Sequence, residues 1–222
     1  MTKAEAERLL KENDKGAVLS QSERAYRTLE RLIVTMELKP GSIANERDLV
    51  DITQMGRTPV REAIQRLAWE GLLEVRPRAG ITVASIYPPD FKKVLDARLG
   101  VEQVLARDAA RFASISEIER LNRSLALMRQ AAEEQDAIRL LDADKLFDSV
   151  LAEASCNPYA SRLAAPLQTH SRRFWYELHT ADSVMSSANA HASLIEAIIS
   201  RDPHKAADMA SSLIDHLRTL IR

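Results

Sequence analysis

A single cysteine in 222 residues excludes an internal disulfide, and nothing around Cys156 has CxxC or other metal-ligand spacing, so its thiol reads as a small buried hydrophobe. Long apolar runs are also missing. None approaches the roughly 18 to 20 residues that span a bilayer, and the opening MTKAEAERLLKENDK lacks the apolar core of a signal peptide. The chain is therefore expected to act in the cytoplasm, without a membrane partner. Neither charge sign dominates, because 31 Lys and Arg face 32 Asp and Glu for a formal net charge of -1. Any nucleic-acid binding must then come from a local patch rather than a globally basic body. The 45% apolar content is enough for real cores, and this length allows one large domain or two modest ones.

Residues 1–19 hold a short helical stretch, AEAERLLKEN, broken by DKG. It has no evident packing partner and is expected to be a mobile arm. From Ser20 the pattern sharpens. Ser20 and Glu23 have capping-box spacing, and Ala25, Leu29, Leu32, Ile33 and Met36 follow a helical period up to the turn at Lys39-Pro40-Gly41. Asn45 is an N-cap for a second helix, through Ile52, with Leu49 and Ile52 on its inner face. A third helix is expected with Thr58 as N-cap, Pro59 at its first position and Val60, Ala63, Ile64 and Leu67 as its buried stripe. Leu72–Arg76 and Ile81–Ala84 read as strands joined by Pro77-Arg78-Ala79-Gly80. Residues 20–84 are thus three helices and a hairpin, a winged helix-turn-helix.

Ser85-Ile86-Tyr87-Pro88-Pro89-Asp90 predicts a stiff extended linker across residues 85–90. Beyond it the chain is helical in pattern and poor in glycine, with helices expected near 90–113, 116–134, 136–155, 157–178, 182–200 and 203–221. The fold class is mainly α: a winged helix-turn-helix, then an all-α antiparallel six-helix bundle over 91–222, large enough to enclose a cavity.

Arg57, Thr58 and Arg61 sit at the start of the third helix, where a recognition helix reaches base edges, and Arg57 and Arg61 share one face. Arg47 and the wing arginines Arg76 and Arg78 extend the positive surface. A solvated helix face is the plain alternative. Residues 21–84 carry ten basic and nine acidic residues, a net of +1. So weak a field favours a homodimer that grips two half-sites of duplex DNA.

The run ERDLVDITQMGRTPVREAIQRLAWEGLLEVRPRAGITV resembles the GntR family of bacterial transcription regulators, and its RTPVREA core matches without a gap. The resemblance implies DNA contacts at Arg47, Arg57, Thr58, Arg61, Arg78 and Gly80. Gln54 stands at the usual turn glycine, Gly56 at a usual serine, and Ala79 at a wing tip that is commonly basic or polar.

Residues 90–222 resemble the FCD effector domain of the FadR branch, with six helices as in its VanR-like subgroup. The matching pieces are Arg98-x-x-Val101-Glu102, Asp144-x-x-Phe147-Asp148 with Asn157, and His191-x-x-Leu194-Ile195. In that branch an Asp and a His four apart, with two later histidines, hold a divalent metal beside a carboxylate effector. Here the corresponding set is Asp144, Asp148, His191 and His216, which implies Zn, Mn or Ni. Asp148 replaces a histidine, and His216 lies about one helical turn beyond the usual spacing. Asp and His both ligate such metals; a solvated Asp148 and a surface His216 are the alternative.

Arg98 is the candidate to pair with an effector carboxylate, which a guanidinium fork matches bidentately; a structural salt bridge to Glu102 is the alternative. His170, Arg172, Arg173 and His179 are candidates for the same cavity, although single His and Arg residues on bundle helices are more often at the surface. Trp69 and Trp175 read as core. The function these features imply is a non-enzymatic, DNA-binding regulator, a repressor controlled by a small organic acid. A hydrolytic metal centre would leave the winged domain unexplained, and an effector-free architectural binder would have a filled bundle interior.

Overall fold

The computed structural model describes residues 19–76 and 80–221, so the expected arm up to residue 18 and the wing tip with Arg78 lie outside the described residues. Two compact units meet at Tyr87 and Pro88.

The first unit holds α1 (Gln21–Val34), β1 (Ile43–Ala44), α2 (Glu46–Thr53), α3 (Arg57–Trp69), β2 (Leu73–Arg76) and β3 (Gly80–Val83). Ser20 caps α1 by accepting from the Glu23 N–H. Asn45 and Asp48 form a reciprocal capping box on α2. One face of each helix then closes on a shared core of Ala25, Leu29, Ile33, Leu49, Val60, Ala63, Leu67 and Leu72, sealed by Ile81 and Val83 from the wing. The sheet is antiparallel in the order β1-β3-β2. Its register pairs Ile43 with Thr82 and Val75 with Ile81. The two-residue β1 escaped the sequence, because nothing in so short a strand forms a period.

Several expectations for this unit change. Helix α3 begins at Arg57 with Gly56 as its N-cap, so Thr58 is inside the first turn rather than capping it. Ile52 is exposed; the buried residue one step on is Thr53, whose hydroxyl returns a hydrogen bond to the Leu49 carbonyl at 2.8 Å. Trp69, expected in the core, is 92% exposed at the end of α3, on the face opposite the stripe that buries Ala63 and Leu67.

The second unit comprises α4 (Pro88–Phe112), α5 (Ile115–Glu133), α6 (Ala137–Ala154), α7 (Pro158–Leu178), α8 (Ala181–Ile199) and α9 (Pro203–Arg218). Here α4 starts at Pro88, inside the segment expected to run extended, since proline in the first turn gives up only an N–H that has no helical partner anyway. Ser114, Asp136, Asn157 and Asp202 cap the starts of α5, α6, α7 and α9. Helix α4 is the axis of the unit, packing against α6, α7, α8 and α9. Phe91, Leu95 and Leu105 on α4, Leu121 and Met128 on α5, and Phe147 and Leu151 on α6 are fully buried. Trp175 is buried as expected. Cys156 is exposed, which corrects its buried reading. It stands just past α6 with φ 51°, a left-handed C-terminal position that turns the side chain outward.

Candidate functional sites

The start of α3 forms an open cationic edge. Arg57 and Thr58 occupy its first two positions and Arg61 the next turn, all exposed. Among the described residues Arg57 has no hydrogen-bond or ion-pair partner. Arg61 is held by Glu46 at 2.7 Å, and that bond raises its pKa. Arg47 lies 4.0 Å from Asp51 and Arg76 lies 2.6 Å from Glu74. A duplex phosphate would have to compete for these three, whereas Arg57 is ready to receive one. Gly56 has no side chain with which to cap the helix, so the Arg57 and Thr58 amides stay open, as suits an anion.

Gly80 sits at the base of the wing with φ +99°. A Cβ there would come within 3.2 Å of the Ala44 carbonyl and the Ile43 side chain. The glycine is thus required by the approach of β1, whatever it does for DNA. Arg66, which the sequence pattern did not single out, holds the first unit together. Its guanidinium lies 3.5 Å over the Tyr26 ring and pairs with Glu23 and Glu70.

Inside the second unit, helices α4, α6, α7 and α8 bring charged side chains into an apolar interior. Arg98 on α4, nominated for the effector, is buried and donates to Glu102 at 2.9 Å. Gln168 from α7 donates to the same Glu102 oxygen. Asp144 and Asp148, one turn apart on α6, both accept from Arg172 of α7, with Asp144 at 3.3 Å. Arg172 also donates to Thr169 Oγ1 at 3.1 Å. His191 of α8 places Nε2 2.8 Å from Asp144 Oδ1 and Nδ1 2.8 Å from the Ser187 carbonyl. His216, on α9, is 3.2 Å from Ser187 Oγ, the hydroxyl that also accepts from the Trp175 indole N–H.

Burial disfavours the Asp144 carboxylate, but the charges of His191 and Arg172 outweigh it and hold its pKa well below the ordinary range. Burial and the neighbouring Asp144 push Asp148 the other way, up to about 7, against the pull of Arg172. His191 is raised, since Asp144 outweighs the penalty of burial; His216 is lowered by burial and by His191.

A cavity opens on this cluster, lined by Arg98, Leu141, Asp144, Arg172, Trp175 and His191. Its volume open to water centres is about 20 Å³, room for about one water.

The model for bacterial regulatory proteins of the gntR family matches residues 21–83, and that for the FCD domain matches residues 93–216. The chain belongs to the GntR family and carries an FCD domain. This GntR protein is 30% identical over 136 residues to the HTH-type transcriptional repressor RspR of Escherichia coli K12, a match spanning 61% of the chain and 60% of RspR. It is 27% identical over 207 residues to the HTH-type transcriptional repressor NanR of Cronobacter sakazakii, covering 83% of the chain and 79% of NanR. The Exu regulon transcriptional regulator of E. coli K12 is 28% identical over 212 residues, covering 85% of the chain and 81% of that protein. Among solved structures, E. coli McbR/YncC superposes with a TM-score of 0.79 at 19% identity over 92% of the chain and 98% of McbR. A GntR regulator from Rhodococcus sp. RHA1 gives 0.70 at 20% identity, over 91% of the chain and 98% of that protein. Both share the winged and helical architecture.

For this GntR protein the nominated metal ligands do not fit a divalent cation as they stand. Asp144, Asp148 and His191 do meet in one buried cluster, but a guanidinium fills the space between the two carboxylates. His216 hydrogen-bonds Ser187 instead. Among the described residues no group of three His, Cys, Asp or Glu side chains is arranged to hold a metal ion. The residue that sequence reasoning undervalued is Arg172. Its signal was faint: an arginine in the α7 stretch THSRRFW whose facing helix could not be known.

Proposed function

We propose that this chain is a DNA-binding transcription regulator, acting as a homodimeric repressor in the cytoplasm, and that a small carboxylate effector in the helical bundle sets its hold on operator DNA. The observation that carries the reading is the pairing, in one chain, of an uncapped, arginine-bearing helix start with a buried polar cavity. Arg57, Thr58 and Arg61 meet bases and phosphates, helped by Arg47 and the base of the wing at Gly80. Repression is the role that the names of RspR and NanR carry.

An effector carboxylate would reach Arg98 only by sharing it with Glu102, and Arg172 only by sharing it with Asp144 and Asp148. The cavity is also far smaller than an organic acid. Entry must therefore push apart the helices that line it, and a displacement of packed helices is what a second site can sense. Coupling of this kind is reciprocal, so DNA alters effector affinity by the same factor. No helix among the described residues is long and apolar enough to cross a membrane.

The test is a gel-shift titration of the protein on its own promoter fragment, with and without a panel of small organic acids. Binding lost on changing Arg57 and Arg61 to alanine, and shifted by one acid, is expected. Tight binding indifferent to every acid overturns the sensor role; undiminished binding by the double variant overturns the DNA surface.

A further inference from the structure

We propose that Arg172 is the resident cation of the bundle cavity, standing where the resemblance places a divalent metal, so that this chain takes its effector without a metal. Four observations lead there.

The first is the arginine itself. Its Nη1 is shared between Asp144 Oδ2 and Asp148 Oδ2, and its Nη2 is anchored by Thr169 Oγ1. The oxygens that a metal would use are thus already accepting hydrogen bonds from a fixed, permanently charged group. The second is His191, both of whose ring nitrogens are engaged: Nδ1 lies 2.8 Å from the Ser187 carbonyl and Nε2 lies 2.8 Å from Asp144 Oδ1, so neither nitrogen faces an open coordination position.

The third is charge. Two permanently charged guanidinium groups, Arg98 and Arg172, already stand buried beside Glu102, Asp144 and Asp148. A divalent ion added to this set would be uncompensated in a medium that tolerates no excess charge. The fourth is space, for a cavity with room for about one water does not hold a hydrated metal beside the guanidinium. Arg172 and a metal are therefore mutually exclusive. An effector anion meets N–H donors from Arg172 and Arg98 and the hydroxyls of Ser171 and Ser187, which line the same space.

The experiment strips the full-length protein with a chelator, dialyses it, and titrates it with zinc, nickel or manganese alone, reading bound metal by equilibrium dialysis and elemental analysis. The wild type is expected to bind no metal that depends on His191. Arg172→Ala, by freeing both carboxylates, is expected to gain about one equivalent per chain, lost again when His191→Ala is added. One equivalent on the wild type that disappears in His191→Ala overturns the proposal, as does a folded Arg172→Ala protein that gains none. Circular dichroism reports folding; should Arg172→Ala be unfolded, Arg172→Gln removes the charge at closer to the original volume and is judged by the same gain. With neither DNA nor organic acid present, failure here is distinct from failure of the regulator reading.

Discussion

Asp148→Asn is expected to be more stable than the wild type by a margin that opens above about pH 4, is small in mild acid and is largest in mild alkali. The carboxyl is buried on α6 among Asp144, Arg172, Glu102 and Arg98. Burial and the Asp144 charge push it up to about 7, against the pull of the two arginines. In the unfolded chain the same group ionises near 3.9. Between those values the folded protein keeps a proton that the unfolded chain has released. The group's contribution is therefore full below about pH 4 and is lost, at roughly 1.4 kcal/mol per pH unit, until it ionises in the folded state.

From about pH 5 to about pH 8.5 that loss runs over roughly two units, on the order of 2–3 kcal/mol. Asparagine does not ionise and removes it. Asp144 has the opposite sign, since its depressed pKa gives stability that is present above about pH 4 and lost only in stronger acid; it is constant across this window. His191 is raised despite burial, in part by Asp148, so its contribution fades above about pH 6.5 and is smaller in the variant. Urea unfolding followed by circular dichroism, for both proteins at both pH values, reads the net difference. A variant that tracks the wild type at both, or that is weakened in alkali, refutes the claim that burial rather than Arg172 governs this carboxyl.

Other expected outcomes follow from the first unit and from the two tryptophans. Arg57→Ala and Arg61→Ala each flatten the dependence of log affinity on log salt by about one unit per half-site; equal slopes in fluorescence-anisotropy titrations would show that neither arginine meets phosphate. Gln54 holds φ 55° at the turn between α2 and α3, a left-handed position that costs a side chain about 1 kcal/mol, so Gln54→Gly raises stability by up to that amount in thermal melts. Trp69→Ser, on a fully exposed ring, changes stability by less than about 0.5 kcal/mol. Trp175→Phe removes the indole hydrogen bond to Ser187, whose hydroxyl keeps its contact with His216, and costs about 1 kcal/mol; chemical denaturation of the two variants separates them.

What the sequence disclosed depended on periodicity and on end signals. Ser20 and Asn45 each announce a helix with a side chain able to take up its first amides, and each does cap one. The start of α3 was misplaced because Thr58 carries the same signal, while the actual cap, Gly56, makes no side-chain bond. Trp69 was misassigned because large aromatic rings are buried on average, although two residues past Leu67, about 200° of rotation, put it on the face opposite the buried stripe. At the buried site the partners come from α4, α6, α7 and α8. Asp144 and Asp148 share a face by their own spacing, which a single helix reveals. That the guanidinium opposite them belongs to Arg172 depends on how α7 packs, which no local pattern encodes.

The unfinished start of α3 carries a consequence for how DNA and protein share one structure. A helix whose leading amides, those of Arg57 and Thr58, find no acceptor among the described residues can be completed from outside, and a backbone phosphate would supply the missing oxygen. Gly56→Ser fits sterically, the nearest neighbour of a new Cβ being Pro59 at 3.6 Å. It would let the chain finish its own helix and compete with the phosphate for the same donors. The operator then behaves less like cargo than like the last residue of the domain, and the winged unit is expected to melt later with its duplex than without it.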